Sequence, residues 1–301
     1  MVLSSPATPR RPRVEAPLPV VADTSPVVPS VVPVPARPRV RLRLIDGFEL
    51  VRGDAVVDLP VPAQRVLAFL ALTRRSLHRE YVAGTLWGDR DQQRAAANLR
   101  SALWRLREVP EVVHATRTHL RLGSEVELDV GEVEALARRV LAAGTASAPC
   151  EEVDADPAGC AGALDRDLLP DWYDDWAQFE RERLRQLRIG ALEQLSVHWR
   201  HLGRFALAVD AALAAIRAEP MREGAHAALI EAHLAAGNRN EALRRYEHLR
   251  MLLQSELGLR PSTELQRRVA AVIGERRRVV SSSWGWNDAP DPPLAARRGR
   301  A

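Results

Sequence analysis

The stretch Gln92–Arg107 reads QQRAAANLRSALWRLR, and everything else in the chain is interpreted around it. At about 100° per residue, Ala95, Leu99, Ala102, Leu103 and Leu106 form one apolar stripe, while Arg94, Ala97, Asn98, Ser101, Trp104 and Arg105 point away from it. The pattern predicts an unbroken helix over 92–107, with no Pro or Gly inside to shift its phase. One side packs and the other is free to touch a partner. Arg and Asn match guanine and adenine edges in a major groove through paired hydrogen bonds, and Ser beside small Ala residues lets a helix approach closely. A merely solvated arginine face is the alternative, so the flanking elements must decide.

Immediately before this helix lies the loop Gly88-Asp89-Arg90-Asp91, and before that a second helix over Arg79–Trp87 with Val82, Leu86 and Trp87 apolar. A first helix is expected over Pro62–Thr73, with Pro62 in its first turn and Val66, Leu67, Leu70 and Ala71 on one side. Further upstream the period falls to two. Val40, Leu42 and Leu44 alternate with Arg41 and Arg43, and turns at Asp46-Gly47 and Arg52-Gly53-Asp54 separate Phe48–Leu50 and Ala55–Leu59, which predicts a three-stranded meander. Downstream of Pro110, Val112–Ala115 and His119–Leu122 flank Thr116-Arg117-Thr118 as a hairpin. Meander, three helices and hairpin make a winged helix, in which one helix braces a second in the major groove and the hairpin reaches the adjacent backbone.

Charge supports that placement. Between Pro60 and Ser124 there are eleven arginines and five acids, so the net charge of this segment is +6, against +4 for all 301 residues. All 43 basic residues are Arg, which reflects a GC-rich coding bias, but the local scarcity of acids remains. The absence of Lys excludes a P-loop and a Schiff-base enzyme. No apolar run approaches the roughly 20 residues of a membrane span, and Pro17, Pro19 and Pro26 interrupt any signal-type core, so the expectation is a cytoplasmic protein with no membrane contact.

REYVAGTLWGD followed by AAANLRSALWRLRE resembles the DNA-binding domain of the Streptomyces antibiotic regulatory protein family, whose winged helix is similar to the output domains of response regulators. The resemblance implies that Leu86 and Trp87 anchor the core and that Asn98, Leu99, Arg100, Leu106 and Arg107 belong to the recognition helix. Arg94, Asn98, Ser101 and Arg105 are then expected to read bases, while Arg100, on the flank, and Arg117 and Thr118 of the wing hold phosphates. The wing has Thr118-His119 where many relatives have Gly-Tyr. The resemblance also implies direct repeats upstream of a promoter and contact with RNA polymerase, its sigma factor in particular. By analogy with response regulators, Asp89, Arg90 and Asp91 are the candidates for that contact.

Past the hairpin the chain becomes helical. An amphipathic helix is expected over Gly131–Gly144, then a flexible acidic stretch over Cys150–Gly162. Cys150 and Cys160 match no zinc spacing and read as reduced thiols. Trp172, Tyr173, Trp176 and Phe179 are expected in the core, with Asp171, Asp174 and Asp175 on the solvated side. Gly203, Ala208, Ala215 and Pro220 occupy tetratricopeptide-type positions, and Gly237 and Ala242 recur 34 residues after Gly203 and Ala208. This half resembles the bacterial transcriptional activation domain that follows the winged helix in the same family.

The fold class is therefore mostly α: an N-terminal winged helix plus an all-α tetratricopeptide-like repeat domain. The expected divisions are a disordered Pro-rich tail (1–39), a winged-helix DNA-binding domain (40–130), a helical-repeat domain (131–274) and a second disordered tail (275–301). His198 and His201, one turn apart, lack a third ligand and read as exposed helix surface. His226 and His233 lie two turns apart in a repeat. No nucleophile elbow or carboxylate pair with a cleft is present, so no enzyme, metal or cofactor is expected. The leading function is a sequence-specific transcriptional activator binding double-stranded DNA, its repeats packed on the winged helix and contributing to a homodimer. The rival is a protein-interaction scaffold with a degenerate winged helix.

Overall fold

The computed structural model describes residues 39–146 and 151–271; the two expected tails and Cys150 lie outside these residues, apart from Arg39. The meander forms, as β1 (Val40–Arg43), β2 (Glu49–Arg52) and β3 (Ala55–Val56), with Val40 and Leu42 buried and Arg41 and Arg43 exposed. The turn residues Asp46, Gly47 and Gly53 all have positive φ, which is why Gly is used at two of them. A fourth strand, β7 (Val126–Leu128), pairs parallel to β1 and makes a sheet of order β3-β2-β1-β7. The Asp129 carboxylate then accepts the backbone N–H groups of Leu44 and Ile45 at 3.0 Å. Burial raises the Asp129 pKa, against those hydrogen bonds, which favour its ionised form.

The central element is α1 (Val61–Thr73), buried continuously from Val66 to Leu72. It ends at Arg74 in the left-handed region (φ 53), and β4 (Leu77–His78) follows. Next come α2 (Arg79–Leu86) and α3 (Gln92–Arg105). The wing strands β5 (Val113–Ala115) and β6 (His119–Leu122) are joined by β4, so the wing is a three-stranded sheet of order β4-β6-β5 rather than a simple hairpin. The expected helix to Arg107 stops at Arg105 and tightens into a 3-10 turn over Leu106–Glu108. Pro110 disfavours helical geometry at Val109, and a tightened last turn is a common way to end before it.

Beyond β7 run α4 (Asp129–Ala146), α5 (Glu151–Ala155), α6 (Pro157–Leu164), α7 (Asp175–His201), α8 (Phe205–Ala218), α9 (Glu223–Ala235) and α10 (Arg239–Leu257), then a helix over 263–271. The stretch expected to be flexible is thus largely helical. Asp156 caps α6 by accepting the Gly159 N–H at 3.0 Å, Pro157 opens it, and Cys160 and Leu164 are buried beneath it.

The repeat pattern is realised as two helix pairs, α7 with α8 and α9 with α10. Gly203 (φ +71) and Gly237 (φ +78) turn the chain at equivalent corners, and Ala208 and Ala242 are buried where the paired helices meet. Three local expectations need correction. Trp172 and Trp176 pack on the core, but Tyr173 and Phe179 are 81% and 71% exposed. Asp174 is not simply solvated; it pairs with Arg65 of α1. His198 meets Asp154 of α5 at 3.0 Å instead of facing solvent alone, because α5 folds against that helix.

One hydrophobic core runs from Val40 through α1 and α3 to α4, α7 and α8. The aromatic series Phe48, Trp172, Trp176, Phe69, Tyr81 crosses the junction, with successive centroids 5.2–6.2 Å apart. Polar contacts cross it too. Glu134 of α4, 1% exposed, accepts Arg74 at 2.8 Å, Arg138 at 3.3 Å, and Arg183 of α7.

Candidate nucleic-acid interface

Helix α3 has the caps of a helix built to start at a fixed place. The Asp91 carboxylate accepts the Arg94 N–H at 2.8 Å, which satisfies a first-turn donor and places negative charge at the positive helix end. Ala95, Leu99, Ala102 and Leu106 are buried and Leu103 is half-buried, so the apolar stripe packs on α1 and α2. Fourteen residues give a rod about 21 Å long. Its outer surface exposes Gln93, Arg94, Arg100, Ser101, Trp104 and Arg105. One placement differs from the wheel reading: Asn98 is half-buried, since it stands three residues after Ala95 and four before Ala102, whereas Arg100, expected on the flank toward the phosphates, is exposed.

The wing is braced from α2. Arg79 Nε donates to the Thr116 carbonyl at 3.0 Å, and the Arg79 backbone N–H donates to the Thr118 carbonyl at 2.8 Å. Thr116 Oγ1 accepts the N–H of His119 at 2.9 Å and closes the turn. Thr118 Oγ1 lies 2.9 Å from His119 Nδ1, while the exposed Arg117 side chain at the tip has no partner among the described residues. The ring of His119 meets that of His78 edge-on, centroids 5.3 Å apart. The bracing role of Arg79 was invisible to sequence reasoning, because it depends on β4 joining the wing.

The charge distribution separates the two halves of the molecule. In the helical half, arginines are mostly neutralised: Arg183, Arg185, Arg188, Arg200, Arg217, Arg222, Arg245, Arg250 and Arg268 all pair with carboxylates. Between α1 and the end of the wing, Arg75, Arg79, Arg100, Arg105, Arg107, Arg117 and Arg121 have no carboxylate partner among the described residues. Arg105 instead lies 4.9 Å from the centroid of the Trp104 ring. Unneutralised guanidinium groups on one helix and its wing create the positive surface a polyphosphate backbone attracts.

The loop before α3 is a different surface. Asp89 and Arg90 pair at 3.1 Å and Asp91 and Arg94 at 3.3 Å, all exposed. Between α2 and α3 opens a cleft of about 450 Å³, floored by Ala83, Gly84, Trp87, Ala95 and Leu99 and rimmed by Arg79, Arg90 and Arg100. Among the described residues no group of three His, Cys, Asp or Glu side chains could hold a metal ion. His226 and His233 are each pushed toward the neutral form by burial, consistent with packed histidines.

Residues 128–273 match the family model of the bacterial transcriptional activator domain, the half of the chain that carries the repeat helices. Over 229 residues the chain is 31% identical to the regulatory protein AfsR of Streptomyces coelicolor, a span covering 73% of this chain and 22% of that protein. The chain carries a bacterial transcriptional activator domain and is similar to regulators of the Streptomyces antibiotic regulatory protein type. AfsR of Streptomyces griseus is 28% identical over 221 residues, 71% of this chain and 22% of the relative, so the chain spans about a fifth of the length of these relatives. The structure of Mycobacterium tuberculosis EmbR in complex with a low affinity phosphopeptide superposes with a TM-score of 0.64 at 17% identity, covering 82% of this chain and 69% of that one. The fold, a winged helix followed by repeat-like helices, is shared at that level.

Proposed function

We propose that this protein is a transcriptional activator that binds double-stranded DNA through residues 40–130, with α3 in the major groove and the wing on the adjacent backbone. The observation that carries the reading is the cluster of arginines without carboxylate partners on α2, α3 and the wing, while most other arginines among the described residues are paired. Arg94, Ser101 and Arg105 are the base-reading candidates, joined by Arg100 because of its exposure, and Asn98 reads from the edge of the face. Arg117 and Thr118 meet phosphates.

Asp89, Arg90 and Asp91 are exposed beside the groove-facing helix and are proposed to contact RNA polymerase, through its sigma factor. Residues 131–274 brace the reading head and contribute to a homodimer on direct repeats near promoters. The protein works where the chromosome lies, in the cytoplasm, and performs no catalytic step. The test is a salt titration of binding by the full chain to duplexes it selects from random DNA. A strong preference over scrambled duplexes at moderate salt supports the reading, and equal binding to both refutes it.

A further inference from the structure

Trp104 is the one large apolar side chain on the outer surface of α3, 58% exposed, while Leu99 of the same helix and Leu106 of the 3-10 turn after it are each 3% exposed. The fold gives it no burial to gain. The winged helix's other tryptophan, Trp87, is 8% exposed and serves the core. On its outer surface, Trp104 stands three residues after Ser101 and seven after Ala97, so it closes a path of short side chains along which a helix can come close to a duplex. The Arg105 guanidinium lies over the ring, 4.9 Å from its centroid, and has no carboxylate partner among the described residues, so its N–H donors remain available.

On the DNA reading proposed above, these two residues meet the major groove together. The only apolar group the groove presents is the thymine 5-methyl, and the commonest partner for an Arg fork is the O6/N7 edge of guanine. Consecutive in the chain and in contact, the two side chains can serve adjacent base pairs but not distant ones. We propose that Trp104 and Arg105 form one specificity unit for a thymine next to a guanine, the indole packing on the thymine methyl and positioning Arg105 on the guanine.

The experiment uses the full chain and the tightest duplex it selects from random DNA, with each thymine replaced in turn by deoxyuridine, which pairs identically but lacks the methyl. One replacement, beside a guanine, should weaken binding about fourfold, the worth of one methylene-sized group. Trp104→Ala should abolish that sensitivity and relax the preference for the neighbouring guanine, while binding to scrambled DNA and its salt slope stay unchanged, because no charge is removed. Trp104→Phe, which keeps an aromatic face, should retain part of both preferences and guards against a folding defect in the alanine variant. If Trp104→Ala keeps the deoxyuridine sensitivity and the guanine preference, this inference fails while the DNA-binding reading stands. If the unsubstituted chain shows no sequence preference, both fail.

Discussion

Replacing Glu134 by Gln tests how firmly the winged helix is tied to the helices behind it. The carboxylate is 1% exposed and receives Arg74 from the end of α1, Arg138 from α4 and Arg183 from α7. Gln keeps the shape but removes the charge, leaving three guanidinium groups converging on a neutral amide. Breaking a buried ion pair costs about 3–5 kcal/mol. The three arginines are 38%, 60% and 42% exposed and can regain water, which places the expected loss near the lower end, about 3 kcal/mol. For a folded unit of this size that is a fall in Tm of about 6–12 °C. The pH dependence follows from the same contacts. Burial pushes the Glu134 pKa up, but the Arg183 hydrogen bond and the charges of Arg74 and Arg183 outweigh it, so the pKa is lowered on balance. A lowered carboxyl contributes stability above its unfolded value, and that stability is lost as pH falls through the folded pKa. Unsubstituted protein should therefore lose stability below about pH 5, and the variant should lose less of it over that window. Thermal melts by circular dichroism at pH 7 and pH 4 read both effects. A Tm within 2 °C of the parent at pH 7, or an undiminished acid loss in the variant, would refute the argument.

Trp87→Ala, which removes a nearly buried ring lying 6.0 Å from the Arg65 guanidinium, should destabilise the protein by about 3–5 kcal/mol, read by urea denaturation, and leave base preference unaltered in the surviving folded fraction. Gly203→Ala should cost about 1–2 kcal/mol purely from backbone strain at φ +71, since nothing lies within 4 Å of the added Cβ; an unchanged urea midpoint would mean the corner relaxes. Arg117→Ala should weaken cognate and scrambled DNA alike and reduce the salt slope by about one phosphate's worth, whereas Arg100→Ala should also relax one base preference. Identical behaviour of the two variants would place Arg100 on the backbone.

What the sequence made legible were features decided within a turn or two of chain. The apolar stripe of α3, the turns at Asp46-Gly47 and Gly53, and the 34-residue recurrence of Gly203 and Ala208 are local patterns, and each reappears in the structure. What stayed hidden depends on distant partners. Strand β7 has three residues and exists because Val126 pairs with Val40 across 86 positions, and β4 has two residues held by β6. The helical character of 151–164 follows from packing on α4 and α7, not from any strong periodicity. Asp174 and His198 found partners in other helices for the same reason.

The site shows where local reading reaches its limit. A helical wheel locates the apolar stripe, but the width of the buried arc depends on what covers it, and here α1 and α2 cover enough to half-bury Asn98. The exposed arc therefore runs through Trp104 and Ser101, beside half-buried Ala97, with Arg100 on one side and Arg94 and Arg105 on the other. One aromatic ring beside two short residues, with arginines at the margins, suits a helix that comes close to bases before its long side chains reach them. On that geometry Asn98 contributes from the edge, and its replacement by Ala should cost less affinity than replacement of Arg105. A larger loss at Asn98, measured on the selected duplex, would mean that the helix rolls in the groove toward its buried side.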